Sequence, residues 1–229
     1  DSVNAKYEYI NNEDNLTDIV SGEIANEKVV GWHYDRMEFG PRSLGHRSIV
    51  ADARSQKMQS TMNLKIKYRE SFRPFAPSIL IEKASDWFEL NVESPYMLLV
   101  APVKKSKQIF TTKEQNNLFG IEKLNIKRSE IPAVNHVDYS ARIQTVHKET
   151  NARYHKLISK FEEKTGCAVI VNTSFNVRGE PIVCSPEDSY RCFMRTEMDV
   201  LVIDNFILYK ENQPNFQDKG NWQDEFQLD

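Results

Sequence analysis

The stretch from Asn151 to Tyr209 constrains this fold more than any other, because its apolar spacing alternates between helical and strand character. Tyr154, Leu157, Ile158 and Phe161 recur at i, i+3, i+4 and i+7, which gathers them on one helical face. Asn151 stands where an N-cap belongs, and Gly166 where a left-handed residue closes a helix. Cys167–Val171 then reads as a short buried strand. Ser185, Pro186 and Asp188 supply an N-cap, a first-turn proline and a capping-box acid for a second helix through Arg195. Val200–Ile203 and Phe206–Tyr209 follow as strands around an Asp204-Asn205 turn. Helix, strand, helix and hairpin in this order predict a mixed α/β (α+β) domain.

Upstream, Leu16, Ile19, Val20 and Ile24 predict a helix over Leu16–Ala25, followed by a strand at Lys28–Trp32 and a helix at Ser55–Ile66. Ser78–Ile81, Tyr96–Val100 and Ile143–Val146 read as strands, with Pro74, Pro77, Pro95 and Pro102 at turns or sheet edges. Lys104–Arg128 is charged and yields no assignment. A chain of 229 residues, 40% hydrophobic and 28% charged, is no disordered tail. Residues 1–210 read as one domain and 211–229, acidic and rich in Asn and Gln, as a poorly ordered tail. The sequence opens on Asp1 with a polar stretch, so it is expected to be cut from something longer. Three cysteines without a CxxC pair fit neither a disulfide framework nor a zinc knuckle; they suggest core thiols in a reducing, cytoplasmic setting. No apolar run approaches the roughly 20 residues of a membrane helix.

The net charge of −3 exerts no long-range pull on polyanions, so any anion site must be local. Between Arg36 and Arg73, nine basic residues stand against three acids, a local net of +6. Gly40-Pro41-Arg42-Ser43-Leu44-Gly45-His46-Arg47-Ser48 puts two arginines around a glycine turn, and Lys67, Arg69 and Arg73 alternate along an extended segment. A phosphate or carboxyphosphate ligand wants such convergence: guanidinium forks that bind two oxygens, and a lysine point charge. The bland reading is a solvated basic face, which the embedded Gly, Pro and Phe disfavour. Asn172-Thr173-Ser174-Phe175-Asn176 follows a buried strand, where open α/β sheets place ligands, so Asn172, Thr173, Ser174 and Asn176 are candidate donors; the alternative is a polar turn satisfying itself. Arg142 alone is a weak signal. No spacing makes a metal motif, although Glu38 and Asp52, two of the three acids within the basic stretch, could partner Mg²⁺. Ser174 lacks a nucleophile elbow.

Four blocks in order resemble the C-terminal domain of the O-carbamoyltransferases that modify nodulation factors and antibiotics: Arg36 to Ile49, Arg69 to Pro77, His136 to Val146, and Asn172 to Val183. Ser43, Ala53 and Tyr139-Ser140 depart from the usual pattern at uncharged positions only. The resemblance implies a twisted mixed sheet with flanking helices, YrdC-like. It implies binding of carbamoyl phosphate and of ATP with Mg²⁺, and formation of carbamoyl adenylate. It further implies an N-terminal ASKHA-type domain, iron-bearing and absent from this chain, that passes the carbamoyl group to a hydroxyl. Carried across by motif, Lys67, Arg73, Arg142 and Ser174 would surround carbamoyl phosphate. Arg42 and Arg47, with Arg69, Asn172, Thr173 and Asn176 around them, would serve the nucleotide and phosphates. The rival is a non-catalytic polyanion module for RNA or nucleotides, disfavoured because few exposed aromatics accompany the cations.

Overall fold

The computed structural model describes residues 4–216. β1 (Glu8–Tyr9) leads to Asn12, whose side chain accepts from the backbone N–H of Asp14 and Asn15 and starts α1 (Glu13–Ala25). Leu16, Val20 and Ile24 of α1 are fully buried. β2 (Val30–His33) and β3 (Arg47–Asp52) follow, then α2 (Met58–Lys65) and β4 (Ala76–Leu80). A short α3 (Ala84–Trp87) precedes β5 (Leu99–Pro102), and α4 (Lys113–Asn116) and α5 (Gly120–Leu124) occupy the charged middle. The last third is β6 (Ser140–Val146), α6 (Ala152–Thr165), β7 (Val169–Ser174), α7 (Pro186–Arg195), β8 (Val200–Ile203) and β9 (Phe206–Tyr209).

The nine strands form one mixed sheet in the order β1-β9-β8-β2-β3-β7-β4-β6-β5. β2 runs parallel to β8 and β4 parallel to β6, while β3 and β7 pair antiparallel with each other in the middle. This is the expected mixed α/β sheet with flanking helices. α1 and α6 pack together, tied by Arg153 to Glu13 at 3.0 Å and Lys164 to Asp18 at 2.7 Å. Tyr154 of α6 reaches Ser78 of β4, whereas Ser189 of α7 meets His33 of β2 at 2.7 Å. Register and alternation put Ser78 and His33 on opposite faces, so α6 and α7 cover opposite sides of the sheet. Trp32, Ile49, Phe161, Phe175 and Phe193 lie in the continuous core.

Local chemistry explains the agreements. Asn151 Oδ1 accepts from Tyr154 N, Gly166 takes φ +72°, and Ser185 with Asp188 forms the capping box. The expected Tyr96–Val100 strand begins later, at Leu99, because Met97 adopts φ +56° in a turn that breaks the ladder. Pro102 ends that strand at the sheet edge, where a missing N–H costs nothing. β3 carried no expectation and is completely buried. At the start of the expected tail, Gln213 exchanges hydrogen bonds with the Lys6 backbone, and Phe216 packs edge-on against Tyr190. The rest of that expected tail, from residue 217, lies outside the described residues.

Candidate active site

β7 delivers Ser174 to one end of the sheet, and the chain then turns back through Asn176 and Glu180. Lys67, just beyond α2, is 3% exposed and aims its ammonium at this turn. Its Nζ donates to the Ser174 carbonyl, to Ser174 Oγ at 3.3 Å, and to Asn176 O and Oδ1 at 2.8 and 2.7 Å. Ser174 Oγ donates to Asn176 Oδ1 at 2.7 Å, and Asn176 Nδ2 to Glu180 O at 2.6 Å. Residues 107 and 109 positions apart thus form one hydrogen-bonded unit. Burial pushes the Lys67 pKa down to about 7, and the Arg69 charge acts in the same direction. Burial likewise raises the Glu180 carboxyl, which accepts from Val177 N at 2.8 Å.

Strand register extends this cluster across the sheet. Ser78 pairs with Gln144 and with Ile170, and Ala76 with Asn172, so Arg142 falls in the row of Ala76 and Asn172. Ser174 and its partner Ser48 occupy the next row, on the same face. The Arg142 Nε is buried with no hydrogen-bond partner among the described residues, and one Nη meets the Met97 sulfur at 3.8 Å. Burial and the nearby Arg42 charge both push the Arg142 pKa down. A cavity of about 390 Å³, lined by Phe75, Ala76, Val100, His136 and Arg142, opens beside it. Arg69 lies 5.0 Å over the Phe75 ring and donates Nε to Asn63 Oδ1 at 2.7 Å; burial and then the Arg73 charge lower its pKa to about 10. Arg73 is exposed and paired with Glu70 at 3.0 Å.

Other expected site residues brace rather than line. Arg47 is 5% exposed, and its guanidinium donates to the carbonyls of Cys184, Tyr34 and His46 at 3.0–3.2 Å. Four of its five N–H groups are thereby spent on the backbone. Asn172 is buried and donates Nδ2 to Ser43 O at 3.0 Å and to Gln144 Oε1 at 2.8 Å. Ser78 and Tyr154 complete this network, which pins the 36–46 loop over the sheet through Gln144 Nε2 to Leu44 O at 2.8 Å. Thr173 pairs with Ile49 and so faces the side opposite Asn172. Gly45 must be glycine here: φ is +107°, and an added Cβ would sit 2.5 Å from the Tyr154 ring.

The acids suggested for Mg²⁺ are already engaged. Glu38 Oε1 accepts from Leu44 N and His46 N at 2.6 and 2.9 Å, and Asp52 is forked by Arg54 with a closest approach of 2.6 Å. Glu38 Oε2 is buried without a hydrogen-bond partner; among the described residues no three metal-ligating side chains converge, and no step is routed through an ion. Cys184 is exposed, contrary to the core role expected for all three thiols, because it sits on the turn before α7; Cys167 and Cys192 are buried. Sequence reasoning missed the Gln144–Ser78–Tyr154 network, whose trace was polar residues inside otherwise apolar strand and helix patterns.

A mixed sheet covered by helices on both faces, with this cluster at one strand end, is the architecture that the YrdC-like resemblance leads one to expect. Residues 21–210 match the family described as "Carbamoyltransferase C-terminus", and the chain belongs to that family. It is 62% identical over 228 residues to an uncharacterised protein of Synechocystis sp., covering 100% of this chain and 37% of that protein. It is 34% identical over 190 residues to the 3'-hydroxymethylcephem-O-carbamoyltransferase of Amycolatopsis lactamdurans, covering 82% of this chain and 32% of the enzyme. The chain therefore spans about a third of the length of these relatives. In fold it is similar to full-length HypF in a phosphate- and nucleotide-bound form, with TM-score 0.51 and 17% identity over 86% of this chain and 22% of HypF. It is also similar to P. abyssi Sua5 complexed with L-threonine, with TM-score 0.52 and 15% identity over 84% of this chain and 47% of Sua5. Among the described residues no helix is long and apolar enough to cross a membrane.

Proposed function

We propose that this domain performs the adenylate-forming half of an O-carbamoyl transfer, taking carbamoyl phosphate and ATP to carbamoyl adenylate. One observation carries the reading: the Arg142 guanidinium has a buried Nε with no partner, next to the Arg42 charge and on the sheet face of Ser174. Two cations held close together cost free energy unless an anion joins them. Water cleaves carbamoyl phosphate to carbamate and inorganic phosphate. A carbamate oxygen then attacks the α-phosphorus of ATP, forming the mixed anhydride and expelling pyrophosphate. Charge grows on non-bridging oxygens in both steps, so fixed donors lower the barriers without a protein nucleophile.

Arg142, Arg73 and the Ser174 hydroxyl would hold the carbamoyl and phosphoryl oxygens, with Arg42 and Arg69 toward the nucleotide phosphates. Lys67 fixes Ser174 and Asn176 and places positive charge behind them. A further domain of the full-length protein would pass the carbamoyl group to its hydroxyl acceptor; the much greater length of the relatives supports such a domain. The test is exchange of labelled pyrophosphate into ATP by this chain, which should require carbamoyl phosphate. Absent or carbamoyl-phosphate-independent exchange refutes the reading, and steeply salt-sensitive RNA binding in its place would mark a polyanion module.

A further inference from the structure

The cavity of about 390 Å³ beside Arg142 is lined by two side chains that have no task so far, His136 and Asp138. We propose that His136 is the general base of the first step, taking a proton from the water that cleaves carbamoyl phosphate, with Asp138 as its positioning residue; this rests on the adenylating reading above. Neutral water is a weak nucleophile, so the cleavage gains from a proton acceptor next to the bound anion. Among the side chains lining this cavity, His136 and Asp138 alone accept a proton near neutral pH, since Arg142 stays protonated.

The turn that carries them is fixed in place. His136 N donates to Ser140 O at 2.8 Å, Tyr139 N to His136 O at 3.0 Å, and Asn135 Nδ2 to the same His136 carbonyl at 2.7 Å. Tyr139 takes φ +65°, a left-handed conformation that costs free energy in a residue with a Cβ and is held by these bonds. Asp138 Oδ1 accepts from Ser140 Oγ at 2.6 Å and Ser140 N at 2.9 Å, which hold its carboxyl below the usual range and keep it ionised. The same oxygen lies 3.5 Å from His136 Nδ1. That proximity favours the tautomer with its N–H on Nδ1 and leaves the Nε2 lone pair as the acceptor. Ser140 and Arg142 share one face of β6, about 6.6 Å apart, so the base and the guanidinium fork are tied to the same short run of strand.

The step balances with water as its only co-reactant. The water oxygen bonds to the carbamoyl carbon, the bond from that carbon to the phosphate oxygen breaks, and the phosphate departs with the electron pair. His136 hands the proton it took to the departing phosphate. The carbamic acid left behind ionises to carbamate, the nucleophile of the second step.

Calorimetry with carbamoyl phosphate, paired with the rate of phosphate release in the presence of ATP, tests this. His136→Gln should keep carbamoyl phosphate affinity within about threefold of wild type and slow release about 10²-fold, whereas Arg142→Ala should lose the binding itself. Asp138→Asn keeps the acceptor for Ser140 and drops the charge, so it should slow release about tenfold with binding unchanged; it reads the same pair even where His136→Gln fails to fold. Unchanged release in either folded variant, or a loss of affinity that matches the loss of rate, overturns the assignment and leaves the adenylating reading standing. Wild-type release without exchange of pyrophosphate into ATP overturns that reading and leaves His136 as the base of the cleavage. A wild-type chain that does not bind carbamoyl phosphate overturns both.

Discussion

Replacing Arg142 by alanine should abolish anion binding at little cost to the fold, and the structure sets both magnitudes. The guanidinium offers Nε and a neighbouring Nη as a fork; Nε is unpartnered among the described residues, and an Nη meets the Met97 sulfur at 3.8 Å. Two charge-assisted hydrogen bonds to a carboxyphosphate contribute about 3–6 kcal/mol together. That corresponds to a loss of roughly 10²–10⁴ in affinity. Loss of a thioether contact should shift stability by less than about 1 kcal/mol. Calorimetry with carbamoyl phosphate on wild type, Arg142→Ala and Arg142→Lys, with thermal melts of all three, separates binding from folding. Arg142→Lys should fall between the others, since an ammonium keeps the charge and loses the fork. An affinity within threefold of wild type in Arg142→Ala, or a melt that collapses, would refute the reasoning.

Three further outcomes follow from packing and burial. Arg47→Met should lower stability by about 2–4 kcal/mol in urea denaturation, because the carbonyls of Cys184, Tyr34 and His46 lose their donors; a folded variant should retain most of its nucleotide affinity. Gly45→Ala should destabilise by about 1–3 kcal/mol, measured the same way, through its positive φ and the encroached Tyr154 ring. Burial lowers the His33 pKa to about 4, below the value in the unfolded chain, so the native state binds fewer protons. Stability from this residue is therefore full above pH 6.5 and is lost as pH falls toward 4, on the order of 3 kcal/mol in all; His33→Gln should flatten that part of the stability–pH curve.

The elements legible in the sequence were those whose signals are local. The caps at Asn151 and Ser185, the left-handed Gly166 and the stripe from Tyr154 to Phe161 each act within a few residues, and all formed as expected. β3 escaped notice because Arg47, Ser48 and Asp52 interrupt its apolar pattern; Arg47 finds carbonyls as distant as that of Cys184, while Ser48 accepts from Gly45 N and Asp52 pairs with Arg54 close by in the chain. The site was half legible for the same reason. Residue pattern singled out Lys67 and Ser174 as a cation and a donor, and the family resemblance alone added Arg142, but neither foretold that Asn172 and Arg47 would turn inward. Residue type tells what a side chain can bind, and only the register tells which face it is on.

The first and last strands, β1 and β9, lie side by side at the edge of the sheet opposite β5, and Lys6 is hydrogen-bonded to Gln213. Both ends of the described polypeptide therefore leave from one border. Anything spliced ahead of residue 4 starts five strand spacings, about 24 Å, from β7 and must arch over one broad surface to meet Ser174. Closing the two ends into a covalent loop and reopening the backbone near β5 would bring an appended module to the reaction's doorstep, which makes circular rearrangement a practical way to shorten that journey.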